Sequence, residues 1–317
     1  MSDPSAESSA PVIQLVGLSK TFGRGADRVD ALRGIDLRVD RGHVFGFLGP
    51  NGAGKSTTIR ILMGLLRPTR GSVAIFGQPS APNAPILSSV GALIEGAAFY
   101  DFLSGRDNLR VLADTAGRGV NRVETLLDQV GLTNRAGRKV SGYSTGMKQR
   151  LGLAAALLAD PELVILDEPT NGLDPAGIQD MRSFIRSLAT DGGKTVFLSS
   201  HILHEVEQIC DQVAIIHRGT VIRQGPITEL LSQSAGRLRV QATPIEVVQG
   251  ALNRHWPVER EGDWLRLQAG AETAPTIVRT LVAAEVNVHQ VVQDRTSLED
   301  FFLQVTHGEG EDAPVEG

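Results

Sequence analysis

One cysteine, Cys210, stands among 317 residues, so no disulfide can close within the chain, and nothing in it calls for an oxidising compartment. Set between Ile209 and Asp211, it reads as helix packing rather than a reactive thiol. Long apolar runs are also missing. The longest, 153–159, has only the length of a core helix against the roughly 18 residues that crossing a bilayer demands, so for work at a membrane something else would have to hold the chain there. The opening stretch 1–11 is rich in Ser, Ala and Pro without an apolar core, which argues against a signal peptide and for a disordered tail. Cationic excess is lacking too: 31 Lys and Arg face 36 Asp and Glu, a net charge of −5. That removes the electrostatic basis for general binding to a phosphate backbone, and no nucleic-acid partner is expected. What is present is 41% hydrophobic residues, enough to fill one large core or a large and a small one.

Those residues fall into alternating patterns. Apolar runs at 12–18, 36–39, 44–48, 72–76, 163–166 and 195–198 predict strands. Helical spacing predicts helices over 55–66, 105–116, 122–130, 145–159 and 175–189. Continuous apolar strands alternating with amphipathic helices point to an α/β domain around a mostly parallel sheet, closed by a hairpin of 213–217 and 220–223 around Arg218-Gly219. After Gly225-Pro226 and a short helix to residue 233 the pattern changes. Elements at 237–242, 245–254, near Val258, 264–268, 274–284 and 286–292 predict a small βαββαβ unit of ferredoxin-like type, followed by a helix over 297–305. The expected organisation is therefore a main domain over 12–233, a small α+β accessory domain over 234–307, and a disordered acidic tail over 308–317.

The chemistry begins at Gly49-Pro50-Asn51-Gly52-Ala53-Gly54-Lys55-Ser56-Thr57, which satisfies G-x-x-x-x-G-K-[ST] between an apolar strand and a helix. Glycines let the backbone wrap phosphates, whose charge is met by successive N–H groups and the positive helix end. Lys55 is suited to the β- and γ-phosphates and the Ser56 hydroxyl to Mg²⁺, a hard cation that takes oxygen ligands. The buried strand 163–166 runs into Asp167-Glu168, where Asp167 can hold magnesium through water and Glu168 can take a proton from an attacking water. Together these elements describe a P-loop NTPase. The Asn-Lys-x-Asp of a GTPase does not occur.

Further residues carry a more specific likeness. Phe22, Glu95, Tyr143-Ser144-Thr145-Gly146-Met147, Asp174 and His201 lie at spacings that resemble the nucleotide-binding subunit of an ATP-binding cassette (ABC) transporter over 12–231. The resemblance implies an ABC-type P-loop cassette: a RecA-like parallel sheet core, an antiparallel β subdomain and an α-helical subdomain. It implies ATP and Mg²⁺ as cofactors, with Ser56, Glu95 and Asp167 toward the metal. Phe22 would stack on adenine through its π-face. Lys55, Glu168 and His201 would be catalytic, and Asp174 would belong to the D-loop that crosses between two subunits. Ser144, Thr145, Gly146 and Met147 would grip the γ-phosphate of the nucleotide bound by the neighbouring subunit of a homodimer or pseudo-dimer. An integral membrane permease would be driven from the cytoplasmic face of the membrane, to which this chain would be peripheral.

Two departures narrow the likeness. The signature is usually Leu-Ser-Gly-Gly-Gln; here Ser144 and Gly146 are kept, while Tyr143, Thr145 and Met147 replace Leu, Gly and Gln. Glu95 stands where glutamine is usual, which keeps an oxygen ligand but removes an amide donor and adds charge near the triphosphate. Magnesium coordination is expected to survive and the energetics of closure to change. Both variations, with Ser297-Leu298-Glu299-Asp300 ahead of Phe301-Phe302, resemble the branch of bacitracin, lantibiotic and daunorubicin exporters, which implies export of a drug, antibiotic or peptide. The alternative is a soluble ABC ATPase with a regulatory or ribosome-associated role. Against the ribosomal version stands the single phosphate loop, where two cassettes are usual.

Overall fold

The phosphate-loop strand and its neighbours show how this sequence reaches its architecture. In the computed structural model, which describes residues 11–94, 98–232, 237–293 and 297–308, the chain divides into two compact units between Gly225 and Pro226. The first unit opens with β1 (Ile13–Phe22), β2 (Val29–Val39), β3 (Val44–Leu48), α1 (Lys55–Leu62), β4 (Arg70–Ile75), β5 (Gln78–Pro79) and β6 (Val90–Leu93). It continues with α2 (Gly105–Ala116), α3 (Val123–Gln129), α4 (Thr145–Ala156), β7 (Leu163–Asp167), α5 (Pro175–Thr190), β8 (Thr195–Ser200), α6 (Leu203–Ile209), β9 (Gln212–His217) and β10 (Thr220–Pro226).

Two sheets result. One is antiparallel in the order β2-β1-β4-β5; the other has six strands in the order β10-β9-β3-β8-β7-β6. Within the second, β9, β3, β8, β7 and β6 run parallel. Every residue of β3, β7 and β8 is buried, as expected of parallel strands covered on both faces. The rings of Phe45 and Phe197 stack at 5.8 Å, with Phe47 at 5.6 Å from Phe197. Burial of each such ring contributes about 1.5–3 kcal/mol, so β3 and β8, two of the strands that deliver the site residues, are held side by side by these rings.

The structure departs from the sequence expectation in places with clear causes. Strand β2 starts at Val29, not 36, because its first half, where Asp30 and Arg33 interrupt the apolar pattern, pairs with the end of β1. Helix α1 stops at Leu62, with Met63 as its cap and Gly64 at φ +66° just beyond. Strand β6, a four-residue edge interrupted by Gly91, and the short helix α6 escape the pattern altogether. Cys210 caps the end of α6 and is buried; burial pushes its thiol pKa up, consistent with packing.

The second unit holds α7 (Ile227–Ser232), β11 (Arg237–Thr243), α8 (Ile245–Leu252), β12 (Val258–Glu261), β13 (Trp264–Gln268), α9 (Ala274–Ala283), β14 (Asn287–Gln293) and α10 (Leu298–Gly308). Helix α7 packs against α10, which places the division ahead of the expected 233/234 boundary. The sheet order is β12-β13-β11-β14, with every neighbouring pair antiparallel. Alternate residues Leu238, Val240, Leu265 and Leu267 form a core with Val248, Leu252, Ile277 and Leu281 of the two helices. The intervening residues carry charge: Arg239 lies 4.8 Å from the Trp264 ring centre, and Arg266 pairs with Glu261 at 3.2 Å.

Candidate functional site

Three adjacent parallel strands end at one place. Strand β3 runs into the loop 49–54, β7 into Asp167-Glu168, and β8 into His201, and the crevice beyond the carboxyl ends of parallel strands is where open α/β sheets bind ligands. Lys55, the first residue of α1 and only 6% exposed, donates to the Gly49 carbonyl at 2.7 Å and lies 3.2 Å from Glu168 Oε1. The other Glu168 oxygen meets His201 Nδ1 at 2.8 Å. A cation, a carboxylate and an imidazole thus form one chain of contacts. Pro50, Asn51, Gly52, Gly54, Ser56, Thr57 and Glu168 line a cleft of about 240 Å³ with Lys55. Gly54 turns into the helix at φ +115°, a conformation that glycine takes readily and other residues rarely adopt, and a Cβ there would meet Leu32 at 2.6 Å.

The carboxylates are braced from β8. Ser199 Oγ accepts from the Glu168 amide at 3.0 Å and donates to Asp167 Oδ1. Asp167 is 7% exposed. Glu168 itself sits at φ +50°, a left-handed conformation that a non-glycine residue holds only where its surroundings fix it. A further brace comes from the β9–β10 turn. Buried Gly219 donates its N–H to the Ala53 carbonyl at 3.0 Å and accepts from the Arg33 amide at 2.8 Å. The phosphate loop is thereby tied to β2 of the antiparallel sheet. Gly219 lies at φ +82°, and a Cβ would approach the Ala31 carbonyl oxygen to 2.7 Å.

The remaining expected residues lie elsewhere. Ser144 caps α4, its Oγ accepting from the Met147 amide at 3.3 Å, and Asp174 caps α5, accepting from the Gly177 amide at 3.1 Å, as short polar side chains do at helix starts. None of residues 144–147 lines the cleft. Thr145 is exposed, its methyl 3.3 Å from the position of a Cβ on Gly172, while a Cβ on Gly146 would touch Leu173 at 3.4 Å, so the start of α4 lies against the loop that leads to Asp174. Tyr143 is buried; its hydroxyl donates to the Arg135 carbonyl at 2.9 Å, and its ring covers Gly105. Burial pushes its pKa up. Phe22, 41% exposed at the end of β1, has Lys20 Nζ 5.1 Å from its ring centre and is not among the residues lining the cleft. Glu95 lies outside the described residues. Ser199, two residues before His201, and Gly219, in the hairpin turn Arg218-Gly219, carry no sign of these roles in the sequence.

Residues 32–171 match the family described as ABC transporter. The bacitracin transport ATP-binding protein BcrA of Bacillus licheniformis is 38% identical over 303 residues, which covers 94% of this chain and 98% of that protein. The chain belongs to the ABC transporter ATP-binding family. This ABC subunit is accordingly an ATPase, and its fold is that of the ABC cassette. The lantibiotic transport ATP-binding protein SrtF of Streptococcus pyogenes is 40% identical over 211 residues, 67% of this chain and 89% of that one. Among solved structures, an ATP-binding subunit of an ABC transporter is 32% identical with a TM-score of 0.61, covering 70% of this chain and 93% of its own. A dimeric cassette in a post-hydrolysis state with ADP and phosphate has a TM-score of 0.62 at 24% identity, covering 68% and 98%, a likeness of fold. Among the described residues of this ABC subunit no helix is long and apolar enough to cross a membrane.

Proposed function

We propose that this ABC subunit works as a head-to-tail pair which closes on two ATP molecules and drives a separate membrane permease that exports an antibiotic or antibiotic-like peptide. The observation that carries the reading is the contact chain Lys55–Glu168–His201 at the ends of β3, β7 and β8. Lys55 and the amides of the phosphate loop hold the β- and γ-phosphates. Glu168 takes the proton as water attacks the γ-phosphorus; the new P–O bond forms, the bond to the bridging oxygen breaks, and ADP leaves with the electron pair. His201 orients the water and Glu168 together. Phe22 stacks on the adenine. Ser144, Thr145, Gly146 and Met147 offer the exposed start of α4 to the γ-phosphate of the partner's nucleotide, with Asp174 beside the crossing point.

The donors around the cleft suit magnesium, since the Ser56 hydroxyl and the Asp167 carboxylate are hard oxygen ligands of the kind that hold it beside phosphates; Glu95 is a third candidate. When bound, the ion would offset the charge of the phosphates. The export branch is supported by the bacitracin and lantibiotic transport names of the relatives. A permease, and with it a peripheral position on the cytoplasmic face of the membrane, is supported by Tyr100 and Phe102. Both are exposed, their rings 5.7 Å apart, on a loop that buried Asn108 grips through Tyr100 N at 2.8 Å and Tyr100 O at 3.1 Å. An aromatic pair presented rigidly at the surface fits a protein partner. The C-terminal unit is read as an accessory domain.

The decisive experiment is Glu168→Gln in the full chain. ATP turnover should fall by roughly 10²–10⁴-fold, the contribution of a positioned general base, and a dimer stable to gel filtration should accumulate in Mg-ATP. A monomer at saturating Mg-ATP would overturn the closing pair. Affinity purification from native membranes should bring down an integral membrane protein with several spans, and its consistent absence would remove the permease.

A further inference from the structure

We infer that Glu205, a residue outside the cleft, is a positioning residue for ATP hydrolysis, acting through Thr170 on Glu168 and through α6 on His201. The inference rests on the roles proposed above for those two residues.

Glu205 is a carboxylate at 5% exposure on α6, and a buried charge is retained only where partners offset its desolvation. Its partners are specific. Thr170, also 5% exposed, donates its hydroxyl to Glu205 Oε2 at 2.5 Å. Arg182 of α5 places Nη2 at 3.8 Å from Oε1 and donates through Nη1 to Gln208, one turn further along α6. The carboxylate therefore joins three segments: the loop after β7, the helix that begins after Asp174, and the helix that begins just past His201.

The position of Thr170 gives this junction a bearing on the chemistry. Thr170 lies two residues after Glu168, in a loop folded by bonds from Asn171 N to Glu168 O at 3.1 Å and from Leu173 N to Thr170 O at 3.3 Å. Glu168 holds a left-handed backbone that its own preferences resist. On its amide side Ser199 grips it from β8. On its carbonyl side the anchor is the Thr170–Glu205 bond, arriving from α6. Helix α6 is in turn tied to the histidine segment through Ile202 N, which donates to Ser200 Oγ at 3.0 Å. The two anchors together maintain the 2.8 Å contact between Glu168 Oε2 and His201 Nδ1. Losing one frees the base to drift, and small misplacements of reacting groups are costly in rate.

A buried polar knot could instead serve stability alone, so the test separates the two. Thr170→Val keeps shape and removes the hydroxyl; Thr170→Ser keeps the hydroxyl. In the full chain with Mg-ATP, Thr170→Val should lower kcat by about tenfold to a hundredfold with KM near the wild-type value, and Thr170→Ser should restore kcat. Glu205→Leu, which leaves Thr170 no acceptor there, should lower kcat likewise, and the Thr170→Val/Glu205→Leu double variant should be no slower than the slower single one, as expected of residues acting through one bond. A folded Thr170→Val enzyme with wild-type kcat overturns the proposal, as does a fall in melting temperature with kcat intact, or losses that multiply in the double variant. The Thr170 pair decides the matter alone if Glu205→Leu does not fold. Glu168→Gln runs beside them: if it turns over at the wild-type rate, the catalytic reading itself fails, whereas an inactive Glu168→Gln with a normal Thr170→Val removes only the role of Glu205.

Discussion

Gly105→Ala tests why tyrosine occupies the position before Ser144. Gly105 is the first residue of α2, where alanine is ordinarily the better helix former by up to about 1 kcal/mol. Here the added Cβ would lie 2.3 Å from the Tyr143 hydroxyl oxygen, 3.1 Å from Cζ and 3.3 Å from Cε2. The ring has little room to retreat, because it is 7% exposed and its hydroxyl is fixed to the Arg135 carbonyl at 2.9 Å. Overpacking of this kind costs about 1–3 kcal/mol against a helix gain of at most about 1 kcal/mol, so the net effect should be a loss, of about 1 kcal/mol from the middle of the range. Both tryptophans, Trp256 and Trp264, lie in the C-terminal unit, so tryptophan fluorescence would miss the event. Hydrogen exchange at the amides of α2 and α4 is the suitable readout, with protection falling about tenfold for each 1.4 kcal/mol. In a Tyr143→Leu background, which restores the usual side chain of the family, the same alanine should be neutral or stabilising. An unchanged protein after Gly105→Ala alone, or equal losses in both backgrounds, would refute the idea that tyrosine and glycine are matched.

Phe22→Ala should weaken ATP binding by about 1–3 kcal/mol, the range for losing one aromatic–base stack, while Phe22→Trp should hold affinity; titration calorimetry decides, and an unchanged Kd for the alanine variant would place adenine elsewhere. The Asp160 carboxylate is held below its ordinary pKa of 3.8 first by a hydrogen bond from Lys194, then by Arg122. A depressed folded pKa contributes stability that is present above the ordinary value and is lost as the pH falls below about 4. Lys194→Met should therefore flatten the acid limb of the stability curve there, by a small amount because Asp160 is 64% exposed. Salt should narrow the gap between the two proteins, and parallel acid limbs would dismiss the contribution.

What the sequence made legible follows from the range of the signals. Gly49 to Thr57 is local, its glycines and its lysine contiguous, so loop and helix could be read from a few residues. Strands β3, β7 and β8 were legible because burial on both faces leaves an unbroken apolar run. Strand β6 was not: a four-residue edge containing Gly91 has too little pattern, and that glycine is there because a Cβ would lie 2.2 Å from the Ala156 carbonyl oxygen. Ser199 and Glu205 were illegible for a different reason. Their partners Asp167, Glu168 and Thr170 are 31–35 residues away in sequence, and nothing in a serine or a helical glutamate announces a partner at that distance. The tolerance of Tyr143 was hidden in the same way, in a glycine on another helix.

Two hairpin turns look alike in the sequence and differ in what they permit. Glu261-Gly262-Asp263 joins β12 to β13 with Gly262 exposed and open space around it, whereas Arg218-Gly219 joins β9 to β10 with the glycine wedged between Ala53 and Arg33. Exposed turns are the usual choice for tags, reporters or new chain ends, and by that rule either would serve. A peptide inserted after Gly262 lengthens a loop. One inserted after Arg218 pulls out the peg between the phosphate loop and the antiparallel sheet, so a fusion there should keep its fold and lose its hold on ATP, a failure easily mistaken for a lesion in the phosphate loop itself.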